Sequence, residues 1–171
     1  MSVAAFRFDN NKRRRAEGHD RQRMLTPAYV LEPLRQVLGS IELDPCTEID
    51  NPVQARIFYA PPLDGCALAW EAATVFCNPP YGEKRRRWVE RCIAEGLVRK
   101  VALLIPAHTE TDTFQLALES CTTVLFIRAR LMFTAVRNNG RHEAASHGSA
   151  LFGYGVDLSP MANLGVCMRK R

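Results

Sequence analysis

Thr74-Val75-Phe76-Cys77-Asn78-Pro79-Pro80-Tyr81-Gly82 is a strand-like run that stops abruptly at an amide, two prolines and an aromatic ring. A strand closed by a Pro-rich turn is common in α/β proteins. In open α/β sheets the carboxyl ends of strands are also where ligands bind. The residues after Cys77 suit one such ligand, a planar ring that bears an amino group. The Asn78 oxygen can accept a hydrogen bond from an exocyclic NH2. So can the Pro79 carbonyl, which the following proline holds in extended backbone. Tyr81 offers a face for stacking. The prolines carry no N–H, so few donors compete for these acceptors.

Downstream, residues 84–98 predict a helix, with Trp88, Val89, Cys92, Ile93 and Leu97 at helical spacing. Val101-Ala102-Leu103-Leu104-Ile105 is a continuous apolar run, as in a strand covered on both faces. Thr111 or Asp112 can cap a helix running through Glu119, and Val124-Leu125-Phe126-Ile127 predicts another buried strand. Leu131-Met132-Phe133 and Ala150-Leu151-Phe152 read as two late strands joined through the Asn139-Gly140 region. Upstream, Thr26 as N-cap, Pro27 at the first helical position and Gly39 as the stop bound a further helix. Leu31, Leu34, Val37 and Leu38 supply its apolar face, and Pro33 sits awkwardly in its interior. Ile41-Glu42-Leu43-Asp44 is a short strand ended by Pro45. Residues 47–73 are irregular, apart from a strand-like Ile57-Phe58-Tyr59 and a Pro61-Pro62 turn.

This order predicts an α/β fold of one domain, with a mostly parallel sheet and late antiparallel strands. Residues 1–22 read as a flexible basic arm, 23–158 as the domain and 159–171 as a basic tail. If the strands ending at Asp44 and Asn78 are neighbours, one crevice receives both residues.

The chain has 171 residues, 47% of them apolar and 24% charged, which fits one domain with a real core. No apolar run approaches the roughly 20 residues needed to cross a bilayer, and the N-terminus lacks the apolar stretch of a secretory signal. Six cysteines include no Cys-x-x-Cys pair, and with four scattered histidines they give no zinc spacing. Several lie inside apolar runs, as buried thiols do, so a reducing cytoplasm is the expected compartment. The net charge is +5. Lys84-Arg85-Arg86-Arg87 begins three residues after Tyr81 and reads as a phosphate-binding rim. Arg128 and Arg130 form a second basic pair, and the runs at 12–15 and 169–171 fit solvated tails equally well.

Thr26-Pro27, Leu43-Asp44-Pro45-Cys46 and Asn78-Pro79-Pro80-Tyr81 occur in the order seen in S-adenosylmethionine-dependent amino-methyltransferases that act on DNA. The segments Leu104-Ile105-Pro106-Ala107-His108-Thr109-Glu110-Thr111 and Phe126-Ile127-Arg128-Ala129-Arg130-Leu131-Met132-Phe133 resemble the small phage-encoded N6-adenine methyltransferases of the Dam type. The resemblance implies a Rossmann-like methyltransferase fold, S-adenosylmethionine as cofactor, double-stranded DNA with a flipped adenine as partner, and the cytoplasm of a bacterial host. It implies that Thr26 and Pro27 lie near the methionine part of the cofactor. Asp44, with Pro45 and Cys46, would approach its amino-acid moiety. Asp64 would accept from its adenine amino group, and Asn78 to Tyr81 would form the catalytic turn that meets cofactor and base. Two departures stand out: Thr47-Glu48-Ile49-Asp50 follows Cys46 where the family is glycine-rich, and His108 stands where it often has arginine.

The reaction so implied is direct in-line methyl transfer to adenine N6, with no metal and no covalent enzyme intermediate. The residues alone leave alternatives open. Asp44-Pro45 can simply end a strand, and an Asp-Gly turn accounts equally well for Asp64. The same turn serves cytosine N4, an RNA base or a protein amide. A non-catalytic nucleic-acid-binding domain of the same fold would account for the missing glycines. Oligomeric state and recognition sequence are not readable from the chain.

Overall fold

A computed structural model describes residues 24–80, 82, 84–135 and 142–170. Tyr81, the expected N-terminal arm at 1–22, and the Asn139-Gly140 connection lie outside the described residues. The strands are β1 (Met24–Leu25), β2 (Leu43–Asp44), β3 (Ile57–Phe58), β4 (Thr74–Cys77), β5 (Lys100–Pro106), β6 (Thr123–Ile127), β7 (Met132–Ala135), β8 (His142–Ala144), β9 (Ser149–Tyr154) and β10 (Gly165–Arg169). The helices are α1 (Ala28–Leu38), α2 (Arg85–Glu95) and α3 (Asp112–Ser120), with a 3-10 helix at Ser159–Leu164.

Seven strands form one sheet in the order β10-β6-β9-β5-β4-β2-β3. The pairs β2–β3, β2–β4 and β4–β5 are parallel, and β5–β9, β9–β6 and β6–β10 are antiparallel. The sheet is therefore partly parallel and partly antiparallel, rather than mostly parallel as expected. Every residue of β9 is buried, which is why it takes an interior place between β5 and β6.

Side chains alternate between two cores. Phe76, Ala102, Leu104, Leu125 and Leu151 face α1 and the 3-10 helix, joined by Val30, Leu31, Leu34 and Met161. Val75, Cys77, Val101, Leu103, Ile105 and Phe152 face α2 and α3, joined by Trp88, Val89, Cys92 and Phe114. The result is helix, sheet, helix in three layers. Burying Val30, Leu31, Leu34 and Leu38 stabilises the α1 docking by about 1.5–3 kcal/mol per side chain as an upper bound. Trp70 is 2% exposed and donates its indole N–H to the Gly65 carbonyl at 2.8 Å. Both tryptophans are packing residues, as their apolar surroundings demand.

Several expectations need correction. Thr26 does not cap α1; Pro27 is the N-cap, and its carbonyl accepts from Val30 and Leu31. The Thr26 hydroxyl is used elsewhere, as described below. Leu97 leaves the α2 face, because the helix ends at Glu95 and Leu97 is 84% exposed. β7 does not pair with β9; it pairs with β8 and β1 in a separate three-stranded antiparallel sheet. Residues 159–169 are no tail, since β10 pairs along its whole length with β6, and Cys167 packs against the core. Basic ends masked the apolar Val166-Cys167-Met168 centre of that strand. Among the described residues, no helix is long and apolar enough to cross a membrane.

Candidate active site

β2 and β4 are neighbours, with Leu43 opposite Val75, so their carboxyl ends open on one crevice. The chain leaves β2 towards β3 on one side and returns to β4 on the other, which is a topological switch point of the kind that forms ligand sites. Asp44 and Asn78 both line a narrow cavity of about 40 Å³ there, with Leu25, Thr26, Cys46 and Thr47. An adjoining cleft of about 380 Å³ is lined by Pro45, Tyr59, Asp64, Gly65, Arg87 and Trp88, among others. The two share Cys46, Thr47, Glu48 and Pro80. The larger one falls within the size range of ordinary small-molecule sites.

The amide of Asn78 is oriented by a distant residue. Its Nδ2 donates to Thr26 Oγ1 at 3.0 Å, across 52 positions of sequence. Thr26 is presented there because β1, immediately before it, pairs with β7 of the small sheet. With Nδ2 on Thr26, the amide presents its acceptor oxygen at the other end. The Thr26 and Asn78 motifs, separate in sequence, are one hydrogen-bonded unit.

Asp44 is 3% exposed. Burial pushes its carboxyl up to about 7, against the lowering effect of hydrogen bonds from Cys46 and Thr47. Its Oδ1 accepts from the Cys46 N–H at 3.1 Å. That contact shapes the loop after β2 without the glycines usual there. Another loop packs tightly against it: a Cβ on Gly65 would lie 1.8 Å from the Pro45 carbonyl oxygen. Cys46 Sγ sits 3.6 Å from Cys77 Sγ, and burial pushes the Cys46 thiol up to about 11. Both thiols are protonated packing groups rather than nucleophiles at neutral pH.

Asp64 and Arg87, expected to serve different ligands, bond to each other. Arg87 Nη1 donates to Asp64 Oδ2 at 2.7 Å, and Asp64 Oδ1 accepts from the Cys66 N–H at 3.2 Å. The guanidinium holds the Asp64 carboxyl below its usual range, and the carboxylate raises Arg87 in turn. Arg86 is paired with Glu90 at 2.9 Å along the helix. The 84–87 cluster is thus not a uniform cationic rim, because two of its four members already face carboxylates. Lys84 is exposed and lines the larger cleft. Arg85 is half-buried at the start of α2. Arg128 and Arg130 are exposed on the turn after β6, at the same edge of the sheet but three strand positions from β4, about 15 Å away.

His108, after β5, and His147, before β9, stand with ring centroids 4.9 Å apart and edge to face. Burial lowers the His147 pKa, and the nearby His108 and Arg85 lower it further. No periodicity connects two residues 39 positions apart, so only the β5–β9 pairing brings them together. Tyr81 lies outside the described residues.

In chemical terms the crevice combines a buried carboxylate, an oriented amide and a cleft of small-molecule size at a strand switch point. A family model described as DNA N-6-adenine-methyltransferase (Dam) matches residues 14–167. No curated protein matches the sequence.

Proposed function

Because the chain belongs to the DNA N-6-adenine-methyltransferase (Dam) family, we propose that it moves the methyl group of S-adenosylmethionine to N6 of an adenine turned out of duplex DNA. Membership carries the general activity, methylation of adenine N6 in DNA. The donor, the flipped base and the residue roles are our reading, with the sheet assigned to the Rossmann-like methyltransferase class from its switch point at β2 and β4. The observation that carries it is the Thr26–Asn78 bond beside the buried Asp44.

The residues suit the cofactor. A carboxylate kept from water, as Asp44 is, favours a cationic partner such as the ammonium of an amino-acid moiety. The Cys46-Thr47 turn and Pro27 complete that end, and Asp64 in the larger cleft is the acceptor for the adenine amino group. Bound S-adenosylmethionine supplies a methyl group already activated on a sulfonium.

The chain's own task is at the acceptor nitrogen, whose lone pair is delocalised into the ring. The Asn78 oxygen and the Pro79 carbonyl accept from the two N6 hydrogens and favour a more tetrahedral nitrogen. They also stabilise the positive charge that develops as the N–C bond forms and the S–C bond breaks. The proton released from N6 passes to solvent. Stacking on Tyr81 offsets part of the cost of extruding the base. Lys84, Arg85, Arg87, Arg128 and Arg130 contact phosphates; Arg86 and Arg87 must each first leave a carboxylate, Glu90 and Asp64.

Incubation with methyl-labelled cofactor and duplex DNA, followed by nucleoside analysis, tests the reading. Label in N6-methyladenosine is expected; label in N4-methylcytosine, or none in DNA, overturns it. Tyr81→Ala is expected to reduce activity by about five- to 150-fold, the value of about 1–3 kcal/mol of stacking. Tyr81→Phe and Tyr81→Trp should be mild, and equal losses in all three would mark Tyr81 as structural.

A pH dependence follows from Asp44. Its folded pKa, about 7, lies above the unfolded value. The stability it contributes is therefore present below about pH 4 and lost as pH rises through about 7. Cofactor binding runs the other way, because a cation prefers the ionised carboxylate. Calorimetric affinity should fall as pH drops below about 7, approaching tenfold per pH unit, and Asp44→Asn should bind weakly with that dependence removed. A wild-type affinity flat between pH 5.5 and 8 would refute the pairing.

A further inference from the structure

We propose that Arg87 is a positioning residue through which bound DNA prepares the cofactor cleft. In the free protein Arg87 occupies the Asp64 carboxylate, and a DNA phosphate draws it away. The inference rests on the reading of Asp64 as the acceptor for the cofactor's adenine amino group.

Both carboxylate oxygens of Asp64 are engaged, Oδ2 by the Arg87 guanidinium at 2.7 Å and Oδ1 by the Cys66 N–H at 3.2 Å. Each oxygen can accept a further bond, but an exocyclic amine at Oδ2 would share it with a guanidinium that crowds its approach and, by its charge, weakens the oxygen as an acceptor. The Cys66 bond is part of the local turn and does not yield. The guanidinium can, because Arg87 and Asp64 are 48% and 51% exposed in their side chains. Arg87 and Lys84 line the same cleft as Asp64. Arg87 lies in the first turn of α2, which carries no acidic residue. There the partial positive charge of the helix end adds to those of the side chains. A phosphodiester arriving at this corner meets a guanidinium able to bond it in bidentate fashion. It competes with Asp64 for Arg87, and drawing Arg87 away leaves Oδ2 a stronger and less crowded acceptor for the cofactor's amine.

DNA and cofactor thus favour each other without touching the same residue. By thermodynamic reciprocity each tightens the other by the same factor. A half-exposed ion pair sets that factor at about two- to fivefold. Salt weakens the pair, so added salt should loosen the coupling along with the DNA contacts.

The experiment is calorimetric titration of S-adenosylhomocysteine, which carries no transferable methyl group, with and without a mixed-sequence DNA duplex. For the wild type the duplex should tighten binding about two- to fivefold. Arg87→Met should tighten binding by a similar factor without DNA and abolish the duplex effect. Asp64→Asn should weaken binding and make the Arg87→Met change inconsequential in the double variant. Affinity in Arg87→Met equal to wild type, with Asp64→Asn still weakened, overturns the link while the Asp64 assignment stands. Unaltered affinity in Asp64→Asn overturns that assignment itself. Arg87→Gln provides a second variant, and the duplex effect on the wild type needs none; its absence also overturns the proposal.

Discussion

Asn78→Ala is expected to lower kcat by about 10²–10³-fold, the usual loss when one preorganised group facing a developing charge is removed. The alanine takes away the amide oxygen that would accept from N6, so the loss belongs to the transition state and should appear in kcat rather than in KM. The same substitution removes the 3.0 Å bond to Thr26. That bond's partner is partly solvated, so the stability cost should stay near 1 kcal/mol. Single-turnover methylation of duplex DNA separates the two, with binding of S-adenosylhomocysteine as the control for an intact cleft. A methylation rate within threefold of wild type would remove Asn78 from the catalytic role.

Gly65→Ala is the second large effect. Its Cβ would stand 1.8 Å from the Pro45 oxygen, 2.8 Å from the Pro45 carbonyl carbon and 3.0 Å from Tyr59 Cβ. The first two are backbone atoms of the loop after β2, and that loop is tied down by the Asp44 carboxylate and by Thr47 N–H bonding the Tyr59 carbonyl. On its other side the Gly65 carbonyl is held by the buried Trp70 indole. Neither side can yield cheaply. The expected cost is about 3 kcal/mol, at the upper end for overpacking. That corresponds to a Tm lower by about 6–12 °C in a chain of this length. Cofactor binding should be lost as well, because the wedge separates Pro45 from Asp64 in the cleft they share. A melting temperature within 2 °C of wild type would contradict the close approach.

The two expectations have different origins, the first in consecutive residues and the second in a contact between loops. The Asn78-Pro79-Pro80 turn is local: strand, amide and prolines are consecutive, and their chemistry follows from residue type alone. The buried strands β4, β5 and β6 were legible because continuous apolar runs of three to five residues have one economical fate, coverage on both faces. The meeting of Asp44 and Asn78 could be stated only as a condition, since it depends on β2 and β4 being neighbours. β7, by contrast, pairs with β1 and β8, while β9 has both edges taken by β5 and β6, and neither fact follows from its own residues. β10 was hidden because its charged ends resemble a tail while its pairing with β6 is long-range.

The basic run at 84–87 illustrates a different limit. Charge is visible in sequence, but its availability is not. Glu90 is one helical turn away from Arg86 and could have been anticipated from i,i+4 spacing. Asp64, 23 positions from Arg87, could not. The missing glycines after Cys46 likewise looked like a defect in the cofactor loop. The glycine that this region does use is Gly65, in a different loop, where it lets the chain pack closely on the Pro45 backbone.

By itself, then, the sequence determined the buried strands, the α/β class and the place of the Asn78-Pro79-Pro80 turn at a strand end, because each follows from neighbours along the chain and from the periodicity of burial. Only the tertiary structure decided the side-chain partners: Thr26 for Asn78, Arg87 for Asp64, Gly65 beneath Pro45, His147 beside His108. Those pairings depend on which strands lie next to each other and on loops crossing at their carboxyl ends. Such contacts are set by the packing of two cores against one sheet, which no local stretch of residues encodes.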